Sequence, residues 1–432
     1  MTSTGTRDAG LARAVGTARA RLVPFLVLMF TLAYLDRTNI GLAEQAFRAD
    51  TGVSDAGFAF GAGLFFVGYA ILEVPSNLIL RRVGARAWLA RIMVSWGIVA
   101  AATVFAQGDR SFWSVRFLLG VAEAGFFPGV ILYLGSWFPR RERGRVLGYF
   151  YFGLPLALVL GNPLGGALLS LDGALGLHGW QWLFLAEGAL ASMVGVAAWF
   201  VLVDGPADAP WLDDDAKRAL SDEIAAEERG KAEAGDVSLG RAFTDPVMLL
   251  LVALYTLIQV GSYGLAFSLP TTIATLLDVK VGPEVGLVSA GPWGVALVAM
   301  ALLPDRAVRS GREKQTVAVL LAVAAVGLAV AATAPSALAI VALSATAAGI
   351  TAAQPIVWTF PTTRLGGAAA AGGIALISSV GNLGGFVAPN LRVLAEQTFG
   401  TPAAGFYALA AAAALASGLV LLVPRARQTE AR

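Results

Sequence analysis

Seven ionisable side chains lie inside the long apolar blocks of this 432-residue chain: Asp36, Arg37, Glu73, Arg91, Arg116, Glu123 and Glu187. At the middle of a membrane span such a group costs about 2.5–3.5 kcal/mol on insertion scales, so each is a functional candidate. Their types define the chemistry. A guanidinium stays charged and grips a carboxylate through two parallel hydrogen bonds. A carboxyl group withdrawn from water favours its neutral form and can take up a proton near neutral pH. Arg37 and Arg116 are therefore expected to hold an anion, and Asp36 and Glu123 to carry protons. Arg116 and Glu123 stand seven residues apart, on one helix face and about 10.5 Å apart along its axis. Asp36 reaches a comparable depth in the first span. One polar cavity would satisfy all four groups; the competing reading is a set of ion pairs that hold the helices in register.

The remaining groups divide by position. Glu73 precedes Pro75-Ser76-Asn77 and reads as a gate or an interhelical pair. Arg91 lies a turn inside its block and can extend to the membrane surface. Glu187 follows Trp180 and Trp182 at an interface and reads as structural. The C-terminal blocks hold no ionisable residue away from their ends and offer neutral polar groups instead. These are Gln259, Ser262 and Tyr263, then Gln354, then Ser378, Ser379 and Asn382, with Tyr69 as an aromatic wall from the N-terminal half. Gly261, Gly264 and Pro270 allow a broken helix there. The chain has no cysteine and one histidine, His178, in a loop. Disulfides, thiolate nucleophiles and cysteine-ligated metals are excluded, and neither cofactor nor metal is expected.

The elements that must position these groups are apolar helices. Hydrophobic residues make up 57% of the chain and charged residues 14%, and the mean hydropathy is +0.71. Soluble domains are less apolar and more charged than this. Blocks fall at 22–46, 57–80, 87–107, 112–137, 146–169 and 180–203, then at 246–276, 282–304, 315–333, 336–360, 366–391 and 402–424. Each is long enough for a span of about 20 residues. The expected fold is an all-α membrane protein of twelve transmembrane helices in two six-helix bundles, leaving no room for a large soluble catalytic domain. The expected organisation is a cytoplasmic tail 1–21, an N-terminal bundle 22–203, a cytoplasmic linker 204–244, a C-terminal bundle 245–424 and a second tail 425–432. The stretch from Arg7 to Leu35 is read as leading into the first span and not as a cleaved leader. With both termini in the cytoplasm, only Arg48, Arg110, Lys280 and Arg392 of the 31 Lys and Arg residues fall on the outer side, which fixes the orientation. The linker, with Asp213–Asp215 and Glu227-Glu228-Arg229, carries Leu220 and Ile224 four apart, which suits a short surface helix; it reads as a solvated tether between the halves, with a regulatory partner site as the alternative. Gly161-Asn162-Pro163-Leu164-Gly165-Gly166 and Gly381-Asn382-Leu383-Gly384-Gly385 recur between the halves, as parallel repeats require. Their small residues read first as close helix packing.

Several of these motifs resemble one family. Tyr34-Leu35-Asp36-Arg37-Thr38-Asn39-Ile40-Gly41 is similar to the first-span signature of the anion:cation symporters of the major facilitator superfamily. So are the run from Arg116 to Gly129, Pro75-Ser76-Asn77-Leu78, and the run from Ser379 to Phe386. The resemblance covers nearly the whole chain. It implies alternating access around a midplane site and proton-driven uptake of an organic anion such as a sugar acid, hydroxy acid or aromatic carboxylate. It casts Asp36 and Glu123 as proton carriers, Arg37 and Arg116 as substrate and coupling arginines, and Tyr69 and Asn382 as cavity lining. Asp305-Arg306, with Arg309, Gly311 and Arg312, resembles the superfamily's gating loop motif. Arg81-Arg82-Val83-Gly84-Ala85-Arg86 lacks its aspartate. The expected partners are a small organic anion, protons and the bilayer of a bacterial inner membrane. No nucleic acid is expected, and the chain is expected to work as a monomer. The competing function is a proton-driven antiporter exporting a metabolite or drug; an enzyme is disfavoured.

Overall fold

In lipid every backbone N–H and C=O must find its partner within the protein, so a chain this apolar is committed to helices. The computed structural model describes residues 2–233, 245–362 and 367–424, and these are almost wholly helical. Linker residues 234–244 and the tail 425–432 lie outside the described residues. The N-terminal half comprises α1 (Thr2–Thr51), α2 (Asp55–Val83), α3 (Ala85–Ala101), α4 (Gly108–Glu123), α5 (Phe126–Trp137), α6 (Arg140–Tyr151), α7 (Gly153–Leu169) and α8 (Gly179–Val201). A linker helix, α9 (Asp214–Glu233), follows. The C-terminal half comprises α10 (Pro246–Leu277), α11 (Pro283–Ser310), α12 (Glu313–Ala331), α13 (Ser336–Val357), α14 (Gly367–Asn382), α15 (Gly384–Phe399) and α16 (Pro402–Leu422). Among the described residues, eleven helical stretches are long and apolar enough to cross a membrane, counting α4–α5 and α6–α7 as one each. The pair α14–α15 supplies the twelfth crossing.

The broken helix lies elsewhere than expected. α10 runs without interruption through Pro270. The hydroxyls of Ser268 and Thr272 bond to carbonyls of the preceding turn, and Gly261 and Gly264 are used to admit Ile350 and Leu409 against the helix. The break occurs in the fourth span. Ala124 leaves helical geometry at φ −53°, ψ 132°, and Gly125 takes φ 86°, ψ 0°. A side chain is strained in that left-handed region, and a Cβ at Gly125 would overlap the Ser76 hydroxyl on α2. Glycine here both permits the turn and lets the break lie against α2. As a result Glu123 is the last residue of α4.

The halves meet mainly through three helix pairs, α1 with α10, α2 with α15, and α7 with α11, with a smaller contact between α2 and α14. The recurrent glycine motifs serve two of these seams in equivalent ways. A Cβ on Gly166 would lie 2.6 Å from the Gly282 carbonyl oxygen, and Gly385 seats the Phe66 ring. At the third seam a Cβ on Gly41 would lie 2.5 Å from the Phe267 carbonyl oxygen. Gly166 lies three residues from the end of α7 and packs there on the start of α11, so these two helices are closed against each other at the membrane face that carries the α1–α2 connection. Gly166→Leu is expected to wedge that face open. The chain has no native cysteine. A single Ala59→Cys reporter, at a carbonyl now bonded to Asn390 across the seam, should therefore react with a water-soluble maleimide several-fold faster in Gly166→Leu than in the otherwise native chain. An equal rate would show that the seam does not depend on glycine.

The linker is docked where it is described. Trp211 stacks on Trp137 at 5.2 Å between ring centroids, and Leu220 is fully buried. Glu227 accepts from the Arg143 guanidinium at 2.8 Å and from the Arg140 backbone N–H at 2.7 Å. The solvated tether is corrected to a helix clamped on the N-terminal half. An amphipathic face of Ala216 and Leu220, together with an acid that meets the start of α6, accounts for the docking.

Candidate functional site

The site forms where α1, α2 and α4 of the first half face α10 and α14 of the second. Helical spacing sets the N-terminal wall. Phe65, Tyr69 and Glu73 recur every four residues along one stripe of α2. Opposite them stand Tyr34, Asp36 and Arg37 of α1 and Arg116 and Glu123 of α4. Asp36, Arg37, Arg116 and Glu123 are each no more than 4% exposed. The four groups expected to share one environment are thus brought together.

Their pairing is unequal. The Arg37 Nε donates to Glu123 Oε1 at 2.7 Å, and Nη2 pairs with the same oxygen. Arg37 Nη1 donates to the Tyr263 hydroxyl at 3.3 Å, so the pair reaches across to the C-terminal half. The guanidinium carbon lies 4.9 Å from the Tyr69 ring centroid and 5.5 Å from that of Phe65, distances at which a ring face attracts a cation. Arg116 approaches the same Phe65 ring at 5.2 Å, which makes Phe65 the partition between the two cations. Arg116 Nε and Nη2 have no acceptor, the Asp36 carboxylate oxygens have no donor, and Glu123 Oε2 is also open. Asp36 lies within electrostatic reach of Arg116 and Glu123. Buried polar groups left open cost stability, so a cluster with unfilled donors beside unfilled acceptors is suited to complete its bonds with a ligand and a proton.

The C-terminal wall is neutral. Gln259 Nε2 donates to Asn382 Oδ1 at 3.1 Å, Asn382 Nδ2 to Ser378 Oγ at 3.4 Å, and Ser378 Oγ to Glu73 Oε1 at 3.3 Å. Ser379 stands beside the same carboxylate. This chain of hydrogen bonds joins the halves through Glu73. Tyr263 stacks on Tyr34 at 6.3 Å and meets Phe66 at 4.4 Å, closing an aromatic wall over the seam. Gln354 of α13 is buried with both amide atoms open, and no hydrogen bond ties it to the cluster. Asp305 and Arg306 lie apart from the site at the end of α11. Asp305 is exposed and pairs with Arg309 of its own helix at 3.7 Å, and Arg306 Nη1 donates to the Leu302 carbonyl at 3.2 Å. Sequence reasoning missed Phe65 and Tyr34 as site residues; the four-residue stripe through Tyr69 and Glu73 was the available signal for the first.

A helical shell with a buried cluster of charges at the seam between two halves suits a membrane carrier of small solutes. The sequence profile of the Major Facilitator Superfamily matches residues 26–389, and the chain belongs to that family. It is a multi-pass transporter and not an enzyme. It is 43% identical over 415 residues to a putative tartrate transporter of Agrobacterium vitis, covering 96% of this chain and 92% of that protein. It is 38% identical over 400 residues to a quinolone resistance transporter of Acinetobacter baumannii, covering 91% of each. Among solved structures it is similar to the xylose transporter XylE of E. coli in a partially occluded inward open conformation. The TM-score is 0.72 at 14% identity, covering 94% of this chain and 100% of that one.

Proposed function

We propose that the protein imports a small organic anion by symport with protons. The observation that carries this reading is the buried Arg116, with open donors, set between the unpaired Asp36 carboxylate and the Arg37–Glu123 pair. Arg116 supplies the free half of an anion clamp, and Arg37 becomes available when Glu123 takes a proton and releases it. Proton binding and anion binding then favour each other, which is the linkage a symporter needs. The neutral wall of Gln259, Ser378, Asn382 and Tyr263, with Gln354 beyond it, suits a hydroxylated or aromatic remainder: a sugar acid, a hydroxy acid or an aromatic carboxylate. The tartrate-transporter relative supports a hydroxy acid.

In this reading both termini are cytoplasmic, as the basic residues require, and the protein works as a monomer in a bacterial inner membrane. The face at which α7 and α11 close is the outer one. Glu73 gates by joining and releasing Ser378, and Asp305 and Arg306 act at the cytoplasmic end of α11. A second reading, proton-driven export, is favoured by the quinolone-resistance relative. Liposomes loaded with the purified protein decide between them: an inward proton gradient should accelerate uptake of labelled tartrate, gluconate or benzoate. Acceleration of efflux alone would select the exporter, and no effect on any of the three carboxylates would count against the symport reading. Glu123→Gln is expected to abolish the acceleration while retaining exchange of internal for external anion, because a Gln amide neither takes up nor releases a proton near neutral pH. A variant still driven by the gradient would remove Glu123 from the proton path.

A further inference from the structure

Of the seven ionisable side chains in the apolar blocks, six are buried and one, Arg91 of α3, is exposed. It lies on the strip of α3 that faces lipid. Trp88 fixes one flank of that strip, since its Nε1 donates to Ser76 Oγ of α2 at 2.9 Å. The other flank packs on α8, where a Cβ on Gly195 would lie 2.8 Å from Met93 and Val94. Between the flanks Arg91 shares a face with Ile98, seven residues on and 60% exposed. The outward residues of the adjoining helices are apolar: Val74 and Leu78 on α2, Met193 and Val196 on α8. Arg91 is the seventh residue of α3. Its Cα therefore lies about 9 Å along the axis from the start of the helix, in the leaflet on the side of the α2–α3 connection.

The guanidinium is held there but not neutralised. Its Cζ lies 4.0 Å from the Trp88 ring centroid, and Nη1 donates to Ser95 Oγ at 3.3 Å. Stacking uses the face of the cation and leaves its N–H edge free. Among the described residues its partners are thus a ring and a neutral hydroxyl, with no carboxylate. A charge in a span is costly until it is paired, so the counter-charge must come from outside the protein, and outside this strip is lipid. The anionic group a bilayer carries beside its apolar chains is the phosphodiester of a phospholipid, which a guanidinium edge can grip through two oxygens. Two further cations favour a headgroup of net negative charge. Arg81 and Arg82 stand exposed in the last turn of α2, on the same membrane side, and neither has an ion pair among the described residues. Arg86, by contrast, is committed: its Nε donates to the Trp199 carbonyl at 2.6 Å, and its guanidinium covers the Trp199 ring. In a zwitterionic lipid the headgroup's own ammonium competes for the phosphate. Phosphatidylglycerol carries no such rival.

We propose that Arg91, stacked on Trp88 and bonded to Ser95, binds the phosphate of an anionic phospholipid on the outside of the N-terminal half. Arg81 and Arg82 draw the headgroup to it, and the acyl chains lie along the exposed apolar residues of α2 and α3. The site needs only that this strip of α3 lies in the bilayer. It stands whether the carrier imports or exports, and whatever the coupling ion.

Thermal unfolding of the purified full-length protein in a neutral detergent tests it, with phosphatidylglycerol, phosphatidylethanolamine or inorganic phosphate added in turn. Phosphatidylglycerol should raise the midpoint by several degrees and the other two by much less. Arg91→Leu places an apolar side chain toward lipid and should lose most of the phosphatidylglycerol shift. Arg91→Lys, which keeps the charge without the planar fork, should lose part of it. Native mass spectrometry on the same samples counts the phosphatidylglycerol that stays bound, and the count should fall several-fold in Arg91→Leu. An undiminished shift and count in that variant overturn the proposal. Equal shifts with phosphatidylethanolamine overturn the choice of an anionic lipid, and equal shifts with inorganic phosphate replace the lipid by a free anion. A dimer that Arg91→Leu dissociates would make the occupant a second copy of this chain and overturn the proposal as well. Arg81→Gln with Arg82→Gln should reduce the shift less than Arg91→Leu does; a larger reduction would move the phosphate to the end of α2. If Arg91→Leu does not yield a monodisperse protein, Arg91→Gln carries the same expectations.

Discussion

Arg37→Ala is expected to lose both transport and stability, and the two losses should separate on a second substitution. Arg37 is the partner that Glu123 holds through two guanidinium nitrogens, in a position where Glu123 has no exposure at all. Deleting one member of a buried pair leaves the other charge uncompensated, at a cost of about 3–5 kcal/mol. Thermal unfolding in detergent should therefore show a marked drop for Arg37→Ala. The double variant Arg37→Ala with Glu123→Gln removes the orphaned charge and should recover most of the drop. Uptake should stay at background in both, because the cation that bridges to Tyr263 is gone. Recovery of uptake with recovery of stability would make Arg37 a purely structural residue.

Replacement of Arg116 should act on binding with a smaller effect on folding. Its Nε and Nη2 donate to nothing, so its removal breaks no hydrogen bond at those atoms. Charge-assisted hydrogen bonds are worth about 1.5–3 kcal/mol, which corresponds to roughly a tenfold to hundredfold weakening. Arg116→Ala is expected to weaken tartrate binding by this amount in isothermal titration. Arg116→Lys should recover part of it, since an ammonium keeps the charge and loses the planar fork. Unchanged affinity in Arg116→Ala would move the anion clamp elsewhere in the cluster.

The contrast between the two arginines marks the limit of what sequence could show. That Asp36, Arg37, Arg116 and Glu123 belong together was legible, because the cost of a charge in lipid forces such groups to find one another. Which guanidinium is committed and which is free depends on side chains brought from separate helices, and spacing along one helix says nothing of that. The twelve apolar blocks were legible for the same reason of cost. The break at Ala124–Gly125 was not, since a positive φ is a backbone property and the surrounding residues are as apolar as any span. Gly261, Gly264 and Pro270 carried a stronger local signal for a break in α10, yet packing and hydroxyl bonds hold that helix straight. The linker misled in the opposite direction. Its many charges suggested solvation, and the three contacts that clamp it, through Trp211, Leu220 and Glu227, are spread over 17 residues.

The buried charges all belong to one half. α10 through α14 carry none within their membrane-embedded length among the described residues, whereas α1, α2, α4 and α8 carry two cations and four acids. An electric potential across the bilayer does about 2.3 kcal/mol of work per elementary charge per 100 mV. It therefore exerts force on one lobe and leaves the other nearly untouched. Voltage sensitivity in the carrier's turnover would reside in the charged lobe and its cargo, and the uncharged lobe could tilt through the field at no electrical cost.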